Sequence, residues 1–277
     1  MSTAPFSLFY VALTTMLALA PLTDVEGATK ITTTSETTRP FSLEGSIRIE
    51  NVNGSITVTG WDKPQLKVEM TKKAKFQEDH DGIVIQEKAS EEYFSIKTQI
   101  KSKRRGFLGL TRKSSTGSVT YRIWAPKTAR LEEIKSTNGS VTIAQMEAEV
   151  NAQSVNGPAD ASGLAGPARI STVNGSISAQ YERTLDTGSI DLESVNGRIQ
   201  LSLPEETNAT VRAKTTNGNI ENDFGLRAKK HFPIGRDLNG DIGGGGIKLR
   251  LKTVNGSIDI KRLENSEARV GSTSLKG

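Results

Sequence analysis

The sequence predicts an all-β fold: a β-solenoid, or β-helix-like stack of short strands, entered through a hairpin-rich N-terminal portion. Three observations carry the prediction. Asn-Gly pairs recur at Asn53-Gly54, Asn138-Gly139, Asn156-Gly157, Asn174-Gly175, Asn196-Gly197, Asn217-Gly218, Asn239-Gly240 and Asn255-Gly256; from Asn138 onward the intervals are 18, 18, 22, 21, 22 and 16 residues. A steady period of roughly 20 residues marks a repeat architecture, in which each unit buries its apolar face only by stacking on its neighbours. Apolar residues also alternate with period two, as in Ile190 and Leu192 or Ile199, Leu201 and Leu203, which describes strands with one buried face. Finally, the alternation slips by one at each pair, as between Leu249, Leu251 and Ile258, Ile260. That slip places a corner at Asn-Gly, where positive φ is tolerated. Gly117-Ser118-Val119 and Gly188-Ser189-Ile190 read as the same corner without Asn.

Two geometries fit the slip. A two-residue hairpin would bring Leu251 opposite Ile260. A solenoid corner would stack Asn side chains from successive coils. The regular period favours the solenoid, because stacked coils bring equivalent positions into register.

Along the chain, residues 6–20 are apolar, and Val25-Glu26-Gly27 supplies small residues before Ala28. Residues 1–27 therefore read as a secretory signal cleaved before Ala28, although no Lys or Arg precedes Lys30. An uncleaved anchor is the competing reading, with an apolar run short for a span. The Thr-rich residues 28–40 are expected to form a flexible lead-in. Residues 41–264 form a single elongated β-repeat domain. Within it, 41–130 is hairpin-rich, with strands such as Ser55-Ile56-Thr57-Val58 and Ile83-Val84-Ile85, and 131–264 carries the regular coils. Residues 224–246, with Pro233 and the four glycines Gly243 to Gly246, read as a long loop interrupting a coil. Residues 265–277 are polar and read as a disordered tail.

The 277 residues carry 35% hydrophobic and only 5% aromatic content, which suits a narrow core of Ile, Val, Leu and Ala. A net charge of +5 is too small for a nucleic-acid signature. Cysteine is absent, which excludes disulfides, thiolate metal sites and cysteine nucleophiles.

The run from Phe41 to Asp62, FSLEGSIRIENVNGSITVTGWD, is similar to the start of the DUF4097 "putative adhesin" family. YRIWAPKTARL from Tyr121, followed by STNGSV from Ser136, resembles that family's entry into its repeats. The resemblance covers most of residues 41–263. It implies a bacterial envelope protein with a right-handed β-helix-like fold, no enzyme activity and no catalytic residues.

Chemistry-bearing patterns are sparse. His80 and His231 stand far apart and outside any metal-ligand spacing, and no Gly-x-Ser-x-Gly elbow occurs. No catalytic, cofactor or metal residue is therefore expected. Asp160, Asp191, Glu193 and Asp259 alternate with core residues and read as solvated wall positions. Glu78-Asp79-His80-Asp81-Gly82 offers clustered oxygens to a cation but reads better as the polar tip of a hairpin. Asp237-Leu238-Asn239-Gly240-Asp241 imitates a calcium loop, yet Ile242 and Lys248 stand where that loop needs Gly and Glu. Trp61 and Trp124 suit either sugar stacking or packing on a neighbouring hairpin. Lys101, Lys103, Arg104, Arg105, Arg112 and Lys113 flank Phe107 without an intervening acid. Such a loop suits an anionic membrane surface or an acidic glycan, or else it is a solvated hairpin.

The leading functional expectation is a non-enzymatic exported envelope protein with an adhesive or structural role, contacting a glycan or an envelope protein. The alternatives are a membrane-associated sensor or accessory protein using loop 101–113, and a polysaccharide-active β-helix enzyme. An acid cluster on one groove would favour the enzyme; a flat ladder of Ser, Thr and Asn would not.

Overall fold

The computed structural model describes residues 30–101, 104–105, 111–112, 117–231 and 234–263; the segments expected to be a secretory signal and a disordered tail lie outside these. Two large sheets, of ten and eleven strands, face one another across a continuous core. Each coil places the strand before Asn-Gly in one sheet, the leading wall, and the strand after it in the other, the trailing wall. The Asn196 coil illustrates the sequence logic. Ile190, Leu192 and Ser194 of Ser189–Asn196 point inward, the chain turns at Asn196-Gly197, and Ile199, Leu201 and Leu203 of Ile199–Leu203 point inward from the other side. Each fully buried Ile, Leu or Val stabilises by about 1.5–3 kcal/mol relative to exposure. The one-residue slip is thus what keeps both strands facing one core.

The corners stack in register. Asn138 pairs with Asn53 and Asn156, Asn174 with Asn156 and Asn196, and Asn255 with Asn196 and Asn217. The solenoid reading holds and the hairpin reading fails, because strands joined at Asn-Gly lie in different sheets.

Coil order departs from chain order at both ends. The coil of Ile247–Asn255 and Ile258–Arg262 sits between the Asn196 coil and the coil of Ala209–Asn217 and Ile220–Asn222. At the other end, Tyr93–Ile100 and Ser118–Pro126 pair in parallel with the outer side of the Asn53 coil. The stack therefore begins inside the region expected to be hairpin-rich, and position 130 is not a structural boundary.

Other expectations are corrected by pairing. Ile31–Pro40 is not a flexible lead-in but a strand antiparallel to Gln65–Ala74. Its five threonines are β-branched and suit a half-exposed edge. Asn239-Gly240 is not a corner: it lies within Arg236–Ile242, antiparallel to Ala209–Asn217, so the expected long loop contains a strand. Gly188 is not an Asn-type corner, since it precedes the leading strand of its coil and stacks on Pro167. At the Gly117 position it is Val119, two residues later, whose carbonyl meets Gly54. Gln77–Asp81 is a short helix rather than a hairpin tip.

Candidate binding surfaces

The corner is held by three ladders. The side-chain amide of each Asn donates to the Asn Oδ1 of the preceding coil in the stack, from Asn138 onto Asn53 through to Asn217 onto Asn255, at 2.7–2.9 Å. Two residues before each Asn, the buried hydroxyls of Ser136, Ser154, Thr172, Ser194, Thr253 and Thr215 donate to the preceding coil's Gly carbonyl at 2.8–3.1 Å. Gly N–H groups donate the opposite way, to the next coil's Asn carbonyl. Glycine is required chiefly for close approach. A Cβ at Gly139, Gly157, Gly175, Gly197, Gly218 or Gly256 would lie 1.8–2.4 Å from the neighbouring Gly oxygen. Positive φ, which Asn-Gly tolerates, is marked at Gly54 (+113°) but absent at Gly139, Gly175, Gly197, Gly218 and Gly256. The hydroxyl ladder was missed from sequence, although Ser or Thr two residues before Asn was its visible signal.

Outside the core, the trailing wall presents small polar side chains in register. Thr57, Thr142, Asp160, Ser178, Gln200, Asp259 and Glu221 form one row, and Gln180 with Ser202 belongs to the next. Asp160 is exposed on this wall, and partial desolvation by its neighbours raises its carboxyl above the usual aspartate range. At the N-terminal end of this wall, Trp124 stands beside Thr59 and Lys67, and Trp61 two residues further along the neighbouring strand. Both rings are half-buried. Lys67 lies over Trp124 and Lys63 over Trp61, each 5.1 Å from the ring centre, and the Trp61 indole N–H donates to the Gln65 carbonyl. Packing thus engages both rings.

Asp160, Asp191, Glu193 and Asp259 do not converge. Asp191 and Glu193 lie on the leading wall, paired with Arg250 and Lys252 at 3.1 and 2.8 Å. Asp160 and Asp259 lie on the trailing wall, where Asp259 pairs with Arg198. On the return-loop side, an open cleft of about 740 Å³ is lined by Glu147, Glu182, Asp186 and Glu206 among others. There Glu147 is bound by Arg183 and Lys127, which hold its carboxyl below the usual range. Among the described residues no group of His, Asp and Glu is arranged to hold a metal. His80 bonds Thr33 and His231 bonds Asp237, so the two histidines serve separate places.

Of the basic loop, Arg104–Arg105 and Thr111–Arg112 form a small antiparallel ribbon with Arg104 opposite Arg112. Lys103, Phe107 and Lys113 lie outside the described residues, and Lys101 is exposed. Among the described residues no helix is long and apolar enough to cross a membrane.

Solved structures align with the chain at low identity. A "putative cell adhesion protein" from Clostridium sporogenes aligns at 10% identity and TM-score 0.44, covering 83% of this chain and all of that one. A "putative adhesin" from Bacteroides fragilis aligns at 12% and 0.40, covering 83% and 97%. A "putative lipid binding protein" from Parabacteroides distasonis aligns at 12% and 0.32, with the same coverage. No curated protein matches the chain. The Toastrack DUF4097 family model matches residues 25–261, and the chain belongs to that family.

Proposed function

We propose that this is a non-enzymatic, exported envelope protein whose walls serve as an adhesive or structural surface. The observation that carries this reading is the in-register run Thr57, Thr142, Ser178 and Gln200 on the trailing wall, with Asp160 and Asp259 in the same row, Asp191 and Glu193 on the opposite wall, and Glu147 of the acid-lined cleft held by Arg183 and Lys127. General acid–base catalysis needs convergent groups within reach of one reacting atom. A regular array of small hydroxyls and amides instead offers many weak, simultaneous contacts, whose avidity grows with their number. A right-handed winding belongs to the same reading, since crossovers between parallel strands of one sheet take that hand almost without exception.

The test exposes the chain from Ala28 onward to immobilised envelope polysaccharides and sizes the polymer afterwards. Retention with unchanged polymer length is expected; shortened products would overturn the non-enzymatic reading. N-terminal sequencing of envelope material should begin near Ala28, whereas Met1 or Ser2 at the terminus would favour the retained anchor.

A second reading, contact with a membrane through the basic ribbon, draws on the Arg104–Arg112 pairing. Basic residues carried on both strands of a ribbon are attracted to an anionic surface.

A further inference from the structure

A groove of about 470 Å³ opens on the leading wall where the last coil in sequence is enclosed. Its floor comprises Ala209–Asn217 and Ile247–Asn255, which run parallel in register. That register sets Arg212 directly beside Arg250, and Lys214 directly beside Lys252. Adjacent strands lie about 4.7–4.9 Å apart, and like charges directly opposite one another oppose folding. Two such pairs, two residues apart on one face, make a square of four cations.

The acids nearby answer only half of it. Asp191 and Glu193, one strand away, pair with Arg250 and Lys252. On the other side Arg212 stands opposite Asn239, and Lys214 opposite Asp237. Asp237 is engaged by His231 and accepts a hydrogen bond from Asn239 Nδ2 at 2.7 Å. Among the described residues Arg212 and Lys214 make no ion pair. The fold has therefore assembled an unfavourable charge arrangement and left its outer half unneutralised, at the mouth of a concave site.

We infer that this groove binds a linear acidic polysaccharide whose anionic groups lie against Arg212, Lys214, Arg250 and Lys252. Regularly spaced carboxylates match cations repeating at strand spacing, and guanidinium groups can hold them in bidentate fashion. A bilayer surface is too broad to enter a groove between strands. Among the described residues of the lining His231 is the sole ring, so a nucleic-acid strand would meet charge there but no larger aromatic stacking platform. The inference deepens the adhesive-wall reading and rests on it.

Binding is measured with the purified full chain against four probes: polygalacturonate, neutral dextran, phosphatidylglycerol vesicles and a thymidine oligonucleotide. Polygalacturonate should bind and dextran should not. The Arg212→Gln, Lys214→Gln double variant should raise the polygalacturonate Kd at least about tenfold, a loss of roughly 1.4 kcal/mol. Its melting temperature should be unchanged or higher, because the like-charge pairs are relieved. Lys73→Gln with Lys88→Gln, exposed positions at the far end of the stack, should change the Kd less than about twofold. Asp191→Asn with Glu193→Gln should tighten binding, an effect that misfolding would not produce. No binding by wild type, or tighter groove-dependent binding of vesicles or oligonucleotide, overturns the inference. Equal binding by wild type and the Arg212, Lys214 variant also overturns it but leaves the wall reading standing. Shortening of the polymer removes the wall reading whatever the groove does.

Discussion

Asn255 donates its side-chain amide to Asn196 at 2.7 Å across 59 residues of chain, while Asn217, closer to Asn196 in sequence, stands one coil further out and donates to Asn255. The last coil of the chain is thus an interior coil of the stack. Its outer neighbour, Ala209–Asn217, is in turn covered by the antiparallel strand Arg236–Ile242. On the leading wall the end of the parallel stack is covered by a strand of opposite direction rather than by another coil.

This insertion makes truncation unusually damaging. In a plain solenoid, trimming the last repeat leaves its neighbours stacked. Truncation after Gly246 would instead remove Ile247, Leu249, Leu251, Ile258 and Ile260 from the interior. Residues 209–222 should lose amide protection in hydrogen exchange, while the coils from Asn138 to Asn174 keep theirs. Retained protection over 209–222 would contradict the coil order.

The corner ladders predict two substitutions of different severity. Asn196→Leu breaks one bond to Asn174 and one from Asn255 and should destabilise by about 1–3 kcal/mol. Gly197→Ala would place a methyl 1.8 Å from the Gly175 oxygen and should cost at least about 3 kcal/mol through forced separation of the coils. Urea midpoints measure both, and an alanine at 197 as mild as a surface change would refute the close-approach account.

Two buried tyrosines should behave oppositely. Burial pushes the Tyr121 hydroxyl up to about 12, and its oxygen lies 2.7 Å from buried Thr98 Oγ1. Burial pushes Tyr181 still higher, and its hydroxyl has no partner among the described residues. Tyr121→Phe strands Thr98 and should cost about 1–2 kcal/mol, whereas Tyr181→Phe should be neutral or stabilise by up to about 1 kcal/mol. A large loss at Tyr181→Phe in denaturant unfolding would show that its hydroxyl is bonded.

Asp160 predicts a pH dependence. Partial desolvation raises its pKa above the usual 3.8, and the exposed side chain keeps the effect small, so the folded chain holds the proton slightly more tightly than the unfolded chain. Ionisation then opposes folding: the penalty is absent below the unfolded value, grows as pH rises through the folded value, and is complete above it. Asp160→Asn should give a small gain in melting temperature at pH 7 that disappears near pH 3. Equal gains at both pH values would dissociate the effect from ionisation.

The basic ribbon predicts salt-sensitive binding. Each engaged cation contributes on the order of 1 kcal/mol at an anionic membrane, and screening shortens from about 10 Å at 0.1 M salt to about 3 Å at 1 M. Cosedimentation with anionic liposomes should fall with salt and with Arg104→Glu, Arg105→Glu. Equal sedimentation of variant and wild type would return the ribbon to a solvated hairpin.

The sequence by itself determined the repeat, the corner at Asn-Gly and the inward set of each strand. All three are local: side-chain parity and a recurring pair report them wherever the coil lies. It also carried the hydroxyl ladder, in Ser194 and its equivalents, as a repeated residue type whose partner was not visible. Only the tertiary structure decided which coil stacks on which. The Asn196, Asn217 and Asn255 corners are nearly interchangeable in pattern, so local sequence does not rank their pairings. That ranking depends on how the antiparallel strand Arg236–Ile242 covers Ala209–Asn217, and on the space this leaves beside Ser189–Asn196. The same choice placed Arg212 beside Arg250 and Lys214 beside Lys252. These residues are 38 positions apart in sequence, and they form one cationic surface because the chain returns to fill a slot within its own stack.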